Sequence, residues 1–522
     1  MTLNNIPPNW VLAPLADLVS KIETGKSFKC DERRPASSEI GVLKVSAVSW
    51  GRYQEDESKT CTDPDRVNPA LFVQPGDFLF SRANTIDLVG ACVIAREVRQ
   101  RTMLSDKILR FHFSRDEMKP WVLHLLRSAA GRKQIEALST GNQESMRNIG
   151  QERIGQILVP MPPAAEQTRI VEKLEELLSD LDAGVAELKA AQRKLGQYRQ
   201  SLLKAAVEGA LTAQWRAQHT PTETGAQLLE RILTERRARW EAKQLARFEA
   251  QGKAPPKDWR KKYPEPVRPD TSSLPELPEG WVWASVDELS PDDLANGRSV
   301  PSADTGARVL RLTAMKDGWI DLNEYKNGDW SDEDAKQFAV TEGDILIVRG
   351  NGSLSLVGRA GLVGKVAAQV AYPDTMIRLR VVDAVASPAW MGIVWRTRVV
   401  RSHIERRART SAGIYKISQP DIVSAPIPVP PLAEQEFIQQ WLEQQSPEID
   451  ALQSVLNSEI QRSAAQRKNI LKAAFSGQLV PQDPDDEPAA VLLERIRAER
   501  VSSAGGRGRK GRPAASDRSH AC

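Results

Sequence analysis

The chain has 522 residues, a length that favours two or more domains over a single core. Its 72 basic and 68 acidic residues leave a net charge of only +4, so any nucleic-acid role has to come from local clusters of charge. No apolar run approaches the roughly 20 residues of a membrane span, and the first residues lack a signal-peptide pattern. We therefore expect a cytoplasmic protein whose cysteines, Cys30, Cys61, Cys92 and Cys522, are reduced thiols.

The sequence repeats itself once, at an offset of about half its length. PPAAEQ at 162–167 returns as PPLAEQ at 430–435, and LKAAVEGAL at 203–211 returns as LKAAFSGQL at 471–479, both at an offset of 268. Four further matches follow the same order at offsets between 264 and 271. This pattern predicts a two-fold tandem duplication, because the units of a solenoid array are far shorter.

Each half follows the same plan along the chain. Residues 1–158 contain short apolar runs between Gly, Pro and Asp, which predict strands, and Trp121–Leu138 has the spacing of one amphipathic helix. Three prolines within 160–163 predict an extended segment followed by a helix start. A long helix is then predicted to run to about Leu211.

The long helices carry hydrophobic seams. In the first helix, apolar positions alternate in steps of three and four over more than four heptads, which is typical of a coiled coil. The second helix, after Pro431, has a weaker seam, and Ser446-Pro447 predicts a break in it. The seam positions expected to contact the other helix or a partner are Leu174, Leu177, Leu181, Leu188, Leu195, Leu202, Ile449, Leu452, Leu456 and Ile470.

Composition and duplication together divide the chain into six segments. The predicted segments are a globular domain at 1–158, a helical region at 159–250, a Pro-rich linker at 251–280, a second globular domain at 281–428, a second helical region at 429–500, and a disordered Arg/Gly tail at 501–522.

The sequence contains no motif of a common catalytic centre. The nearest match to a phosphate-binding loop, at 358–366, has valine where Ser or Thr must follow the lysine. Asn-Pro-Pro or Asp-Pro-Pro before an aromatic residue, which marks amino-group DNA methyltransferases, does not occur. The acidic run Asp329–Asp334 could bind a metal, although a solvated loop is the favoured interpretation. We therefore expect no catalytic residue and no metal site.

Two features favour DNA binding, and the first is local positive charge. Residues 396–409 hold six arginines against one glutamate, and the matching stretch of the first half carries Arg127, Arg132 and Lys133. Basic side chains on one helix face can neutralise phosphates. An ordinary solvated face is the alternative, but the recurrence in both halves favours DNA.

The second feature is a pair of polar loops in each half. Residues 81–84 match 348–351, and 141–144 match 411–414 with Gly413 and Ile414 opposite Asn142 and Gln143, so the halves should read different sequences. Arg can pair with guanine and Asn with adenine, although simple turn chemistry is the alternative. The candidate DNA-binding residues are Arg82, Asn84, Arg127, Asn142, Gln143, Arg147, Arg349, Asn351, Arg396, Arg401 and Lys416.

A globular stretch, a Pro-Pro-x-Ala-Glu-Gln segment and a long helix ending in Leu-Lys-Ala-Ala-x-x-Gly, followed by the same again, resembles the specificity (S) subunit of Type I restriction-modification enzymes. The resemblance implies an α+β fold with two mixed α/β target-recognition domains in tandem. An antiparallel pair of long coiled-coil-like helices would separate them in a pseudo-two-fold repeat. Each domain would read one half of a bipartite, asymmetric site in double-stranded DNA, while the helices set the spacing and dock two methyltransferase subunits.

The same resemblance implies that this chain is non-catalytic and holds no cofactor. S-adenosylmethionine, ATP and Mg²⁺ would lie on the adenine-specific methyltransferase subunits and on the restriction subunits, which translocate and cleave DNA. One alternative is a fused nuclease-methyltransferase, which would need the absent tetrapeptide and a longer chain. The other is a coiled-coil scaffold that binds proteins only, which leaves the two basic helices of matching position unexplained.

Overall fold

The chain forms two units, each with one globular domain and part of both long helices. A computed structural model describes residues 6–48, 51–143, 146–290, 293–381, 387–411 and 413–505. The first unit comprises Met1–Lys189 and Asn457–Cys522, and the second comprises Ala190–Leu456.

The first domain consists of twelve short strands and four helices within the described ranges. The strands are β1 (Val11–Pro14), β2 (Val19–Thr24), β3 (Gly41–Leu43), β4 (Ser58–Thr60), β5 (Phe78–Ser81), β6 (Ala83–Asn84), β7 (Cys92–Ile94), β8 (Thr102–Met103), β9 (Ile108–Phe113), β10 (Thr140–Gln143), β11 (Met146–Asn148) and β12 (Leu158–Met161). The helices are α1 (Leu15–Leu18), α2 (Met118–Arg127), α3 (Ala129–Leu138) and α4 (Gln151–Gly155).

A helical region, a second domain and two further helices follow. The helical region contains α5 (Ala164–Val207), α6 (Ala213–Gln218) and α7 (Gly225–Ala250). The second domain contains β13 (Val282–Ser285), α8 (Val286–Leu289), β14 (Ala295–Asn296), β15 (Arg308–Leu310), β16 (Gly318–Trp319), β17 (Tyr325–Asn327), α9 (Asp332–Lys336), β18 (Ile345–Val348), β19 (Gly350–Asn351), β20 (Ala360–Leu362), β21 (Met376–Leu379), α10 (Pro388–Trp395), α11 (Arg398–Arg407), β22 (Arg409–Ser411), β23 (Ile414–Lys416), α12 (Gln419–Val423) and β24 (Pro426–Val429). Helices α13 (Leu432–Ala474) and α14 (Ala489–Gly505) complete the described chain.

The two domains share a central antiparallel arrangement. In the first domain, β5 lies between β9 and β7, and its Phe78 stacks on Phe111 at a ring distance of 5.4 Å. In the second domain, β18 lies between β21 and β20 in the same way. The residues of β5 and β18 are all buried, which explains why β18 is apolar throughout and β5 is apolar up to its last residue, Ser81.

The predicted single helix over Trp121–Leu138 is wrong, because the structure contains two helices, α2 and α3. Ser128 interrupts the helical backbone with extended dihedral angles, and its hydroxyl accepts a hydrogen bond from the Gly131 amide at 3.2 Å. This is an N-cap, which starts a new helix. The hydrophobic periodicity continues across the break and therefore concealed it. Helices α10 and α11 of the second domain are separated at the equivalent position.

The repeated PPxAEQ motif anchors each domain to its long helix. The strand before the motif pairs antiparallel with the first strand of the domain, β12 with β1 and β24 with β13. The indole of Trp10 donates to Glu166 at 3.0 Å, and the indole of Trp281 donates to Glu434 at 2.8 Å. Both carboxylates are fully buried. The glutamate of the motif therefore accepts a hydrogen bond from a buried tryptophan in both halves.

Helices α5 and α13 are the predicted long helices, with 44 and 43 residues. The break predicted at Ser446-Pro447 is wrong, because α13 continues through Pro447. A proline inside a helix removes one backbone hydrogen bond and crowds the preceding turn. Ile438 and Ile449 are buried on either side of it, and this packing holds the helix across the defect.

The two long helices run antiparallel. Asp182 is bonded to Arg467 in the first unit, and Arg199 is bonded to Asp450 in the second unit. In the second unit Arg216, which follows Arg199 along the chain, is bonded to Glu434, which precedes Asp450, so the two segments run in opposite directions there. Such ion pairs at the helix contact fix register and orientation.

The predicted seam is only partly buried. Leu174 and Ile449 are buried, with 0% and 7% of their surface exposed. Leu452 is 49% exposed, so it lies outside the buried part of the helix contact, and its contact with a partner stays a prediction. A two-helix pair covers only one side of each helix, so a sequence pattern wider than that side includes exposed positions. The remaining seam residues are half-buried, namely Leu177, Leu181, Leu188, Leu195, Leu202, Leu456 and Ile470.

Helices α7 and α14 are also products of the duplication, and each packs on its own unit. Helix α7 begins with a capping box at Thr224 and buries Leu228 and Ile232, while α14 buries Leu492 and Ile496. The Pro-rich segment after α7 contacts that helix, since Trp259 stacks on Trp240 with ring centroids 5.8 Å apart.

The predicted tail overlaps the end of the last helix. Helix α14 extends to Gly505, so the first five residues of the segment expected to be disordered are helical. The remaining residues, 506–522, lie outside the described residues. Among the described helices, none is long and apolar enough to cross a membrane.

Candidate nucleic-acid interface

Each domain has a small three-stranded sheet that carries most of the predicted DNA-binding residues. The order is β10-β11-β6 in the first domain and β22-β23-β19 in the second. Arg147 lies opposite Asn84, and Tyr415 lies opposite Asn351, so the two sheets have the same register. We call them the first and second polar sheets.

The first polar sheet brings distant parts of the sequence together. Arg82, which directly precedes β6, donates from Nε to Asn148 Oδ1 at 3.4 Å. Arg147 donates from Nη1 to the Gly141 carbonyl at 2.6 Å. Asn142 and Gln143 lie on β10, but their side chains are outside the described residues. The sheet therefore presents guanidinium and amide groups side by side, which is the chemistry that reads purine edges.

The second polar sheet has a different set of side chains on the same frame. Arg349 and Lys416 are exposed, and Asn351 is half-buried with its Oδ1 accepting from the Ser353 amide at 3.0 Å. Tyr415 and Lys416 occupy the positions of Arg147 and Asn148 in the first sheet. That any of these residues contacts DNA stays a prediction.

The strand register corrects one part of the sequence comparison. Gln143 pairs with Met146, and Ser411 pairs with Ile414, so Ser411 is the counterpart of Gln143. The expectation that Gln143 lacks a polar counterpart was therefore wrong, because Ser411 occupies its position. The first hairpin has a bulge between Thr140 and Gln143, so the register assigns no counterpart to Asn142. The error arose from an offset of 271, whereas the sheets are related by an offset of 268.

Simple turn chemistry accounts for the glycines of these hairpins. Gly141 has a φ of 130°, and a Cβ atom there would lie 2.4 Å from the Met146 carbonyl oxygen. Gly413 has a φ of 77°. Both positions need glycine because of their backbone conformation. That conformation does not require the charged side chains that lie next to them.

The arginines of the paired basic helices have bonds within the fold. Arg132 donates to the carbonyls of Ile86 and Val89, and Arg401 donates to the carbonyls of Leu354 and Val357. These are equivalent loops, so each arginine fastens its helix to the same part of the domain. The recurrence that favoured a DNA contact for Arg401 therefore has a structural explanation.

Arg127 and Arg396 also have partners in their own domains. Arg127 Nη2 donates to the carbonyls of Cys92 and Gly51 at 2.8 Å each. Arg396 contacts Asp317 at 3.3 Å. Backbone carbonyls and a carboxylate therefore engage part of the donor set of each guanidinium. These contacts give Arg127 and Arg396 a role within the fold, whereas Arg398, Arg406 and Arg409 of the same basic stretch are exposed. That either region contacts DNA stays a prediction.

Asn148 and Met146 were missed by the sequence reasoning. Strand β11 has an exposed–intermediate–exposed pattern, and β23 has the same pattern. Since alternate residues of a strand share a face, Met146 and Asn148 lie on the exposed face and Arg147 lies on the other, a placement that required the strand assignment.

Part of the acidic run at 329–334 forms the first turn of helix α9. Ser331 caps helix α9, and its hydroxyl accepts from the Asp334 amide at 3.1 Å. The acidic side chains lie in the first turn, where a helix dipole favours negative charge. Within the described ranges no group of three His, Cys, Asp or Glu side chains could hold a metal ion.

The chain is similar over its whole length to curated specificity subunits. It is 25% identical over 521 residues to the Type I restriction enzyme EcoKI specificity subunit of Escherichia coli (strain K12), covering 97% of this chain and 98% of that protein. It is 22% identical over 524 residues to the StySPI specificity subunit of Salmonella potsdam, covering 97% and 98%. No protein-family model matches.

A solved structure supports the same architecture. A chain from a structure of the type I R-M system, solved to explain its complex assembly and conformational transition, aligns with this chain at a TM-score of 0.55 and 18% identity. The alignment covers 91% of this chain and 99% of that one. This likeness confirms the predicted fold class of two tandem α+β domains with long helices.

Proposed function

Because the chain is a full-length homologue of Type I restriction enzyme specificity subunits, we propose that it is the DNA sequence-recognition subunit of a Type I restriction-modification complex. Each globular domain would read one half of a bipartite, asymmetric site in double-stranded DNA. The long helices would set the spacing and dock two methyltransferase subunits, which with restriction subunits carry the S-adenosylmethionine, ATP and Mg²⁺ chemistry. The chain itself would be non-catalytic.

One observation carries this proposal, namely the two polar sheets. They share a register, yet they present different side chains at matching positions, with Arg147 and Asn148 in one and Tyr415 and Lys416 in the other. Both domains keep the same exposed three-stranded frame and place hydrogen-bonding side chains on it, which supports a shared binding role for the two sheets. Different donors and acceptors on one frame are what two different half-sites require.

Exposed apolar side chains on the paired helices support partner docking. In the second unit, Tyr198, Leu452 and Val455 are 50%, 49% and 57% exposed. Large apolar groups on a helix surface are typical of protein contacts. The scaffold hypothesis shares this feature, but it offers no role for the two polar sheets.

The test is to express the chain with the methyltransferase subunits of its host and to map methylated adenines in the DNA. We expect one bipartite motif. Arg82→Ala should then weaken binding of the first half-site, and Arg349→Ala should weaken binding of the second. A lost base contact costs about 1–3 kcal/mol and relaxes one position of the motif, whereas a lost phosphate contact lowers affinity for all sequences.

Arg99→Ala is a matched control, because Arg99 is exposed and bonded only to neighbouring acidic groups in the described contacts, chiefly Glu97. It should leave affinity and motif unchanged. Unchanged affinity and an unchanged motif in both Arg82→Ala and Arg349→Ala would show that the polar sheets are structural. A complex that methylates without sequence preference would contradict the proposed function as a whole.

A further inference from the structure

The two polar sheets each expose a large apolar side chain at the same place. Met146 is 69% exposed and Ile414 is 43% exposed. Each is the first residue of the returning strand of its hairpin, paired with Gln143 and with Ser411 respectively. An apolar group at this tip is therefore a shared feature of both domains, although the residue differs.

Packing within the domain does not explain these side chains. Exposed apolar area costs free energy in proportion to its size, and Met146 has the largest exposed fraction among the exposed large hydrophobic residues of the described chain. A polar residue would serve as well at a solvated hairpin tip. A single exposed apolar side chain is ordinary on a protein surface. Its recurrence at the equivalent hairpin position of both domains, beside candidate DNA-binding residues, points to a surface that becomes covered when the protein binds its target.

The neighbouring residues specify what that target offers. Residues two apart on a strand share a face, so Met146 lies beside Asn148 and Ile414 lies beside Lys416. All four are exposed, and the residue between each pair is half-buried. Each face thus combines one apolar group with one hydrogen-bonding group at a spacing of about 7 Å.

We propose that Met146 and Ile414 are specificity-determining residues that each contact the 5-methyl group of a thymine in the major groove of their own half-site. The inference rests on the proposed function and deepens it. A two-stranded β-ribbon fits the major groove, and the thymine methyl is the apolar feature that the groove displays beside hydrogen-bonding edges. Asn148 and Lys416 would then bind a neighbouring base edge or phosphate.

Deoxyuridine substitution tests the contact directly, because uracil pairs like thymine but lacks the methyl group. Once the motif is known, each thymine of a half-site, on either strand, is replaced singly and binding by the assembled complex is measured. The wild-type complex should lose roughly three- to ten-fold in affinity at one thymine per half-site, which is the scale of one or two buried methyl groups.

The variants assign each effect to a residue. Met146→Ala should weaken binding by a similar factor and should no longer distinguish thymine from uracil in the first half-site, while the second half-site stays sensitive. Ile414→Ala should show the reverse. Met146→Leu should restore discrimination, and Leu158→Ala, a 40% exposed residue of the first domain outside the polar sheet, should change nothing.

The outcomes separate this inference from the proposed function. Equal affinity of the wild-type complex for every thymine and uracil site overturns the inference, and sequence-specific binding would still stand. Variants that weaken thymine and uracil sites alike also overturn it, because the side chain then contacts something other than the methyl. Absence of any sequence-specific binding by the wild-type complex would instead contradict the proposed function.

Discussion

Glu434→Gln should destabilise the second unit, whereas Glu166→Gln should leave the first unit as stable as before or more stable. The two glutamates hold the same position in the repeated motif and accept a bond from the same tryptophan of their domain. Their second oxygens differ. Glu434 Oε1 accepts from Arg216 at 2.6 Å, whereas Glu166 Oε1 is a buried acceptor with no donor among the described residues.

The size of the Glu434 effect follows from its ion pair. Removing one partner of a buried pair costs about 3–5 kcal/mol, because the other charge is left uncompensated. Arg216 is 23% exposed and also donates to the Gly209 carbonyl, so solvent and a second acceptor reduce that cost. We expect about 2–3 kcal/mol of lost stability. Glutamine keeps an oxygen for the Trp281 indole.

The Glu166 effect has the opposite sign. Burial raises the pKa of the Glu166 carboxyl, and Trp10, Arg169 and Asn9 oppose this only in part. The neighbouring Asn9 also has a buried amide oxygen without a donor among the described residues. The side-chain oxygen of a glutamine at 166 would accept from the Trp10 indole, and its amide nitrogen would donate to Asn9 Oδ1. Both of these oxygens would then have a donor. We expect a gain of up to about 1 kcal/mol near neutral pH.

The pH dependence provides a second check of the Glu166 argument. A carboxyl whose pKa is raised in the folded state favours folding below its unfolded pKa of about 4.3, and this contribution is lost as pH rises through the folded pKa. The first unit of the wild-type protein should therefore be as stable as that of Glu166→Gln at pH 4.5 and less stable than it towards pH 7.5.

Native-state hydrogen exchange read by mass spectrometry is the assay, because it reports the opening free energy of each unit separately. Peptides of the second unit should exchange faster in Glu434→Gln, and peptides of the first unit should exchange no faster in Glu166→Gln. Equal destabilisation by both substitutions would refute the reasoning, since it would mean that the Arg216 pair adds nothing.

Three further predictions concern the supporting arginines, the domains and the helices. Arg132→Ala and Arg401→Ala should each lower the stability of their own unit by about 1–3 kcal/mol, measured by the same exchange experiment, because buried carbonyls lose their donors. Exchanging residues 1–158 for the matching domain of a relative should alter one half of the methylated motif only; a change in both halves would contradict independent reading. Seven residues inserted between Leu188 and Ala191 and seven between Ile460 and Gln461 keep the heptad phase and lengthen both helices by about 10 Å. The gap of the motif should then grow by up to about three base pairs, with its half-site bases unchanged; altered bases at the old gap would exclude the helices as a ruler.

The sequence predicted the duplicated plan because the repeated motifs contain residues that the fold needs inside. The long helices were predictable because prolines and apolar spacing act locally. The break at Ser128 was missed, since an N-cap interrupts the backbone without interrupting the hydrophobic period. The continuity of α13 through Pro447 was missed for the opposite reason, because packing on both sides outweighs a local defect.

Individual site residues were less predictable, because their roles depend on contacts between distant segments. The basic stretch at 396–409 has the composition of a phosphate-binding surface, but Arg401 is bonded to two carbonyls more than forty residues earlier in the chain. Charge in a sequence does not reveal whether its partner lies inside or outside the fold. The polar loops were identified correctly as equivalent, whereas their pairing needed the strand register.

The duplication has preserved interior anchors and allowed the exposed sheet to change. Gly90 and Gly358 both have positive φ, and each lies against an isoleucine of the following basic helix, Ile135 and Ile404. The supporting arginines and the buried Trp–Glu bonds recur in the same way. By contrast, Arg147 is replaced by Tyr415 at a half-buried position of the polar sheet. Because these anchoring contacts do not involve the outward side chains of the sheet, substitutions on its three short strands leave the anchors intact, and under the proposed function such substitutions would alter the half-site that a domain reads.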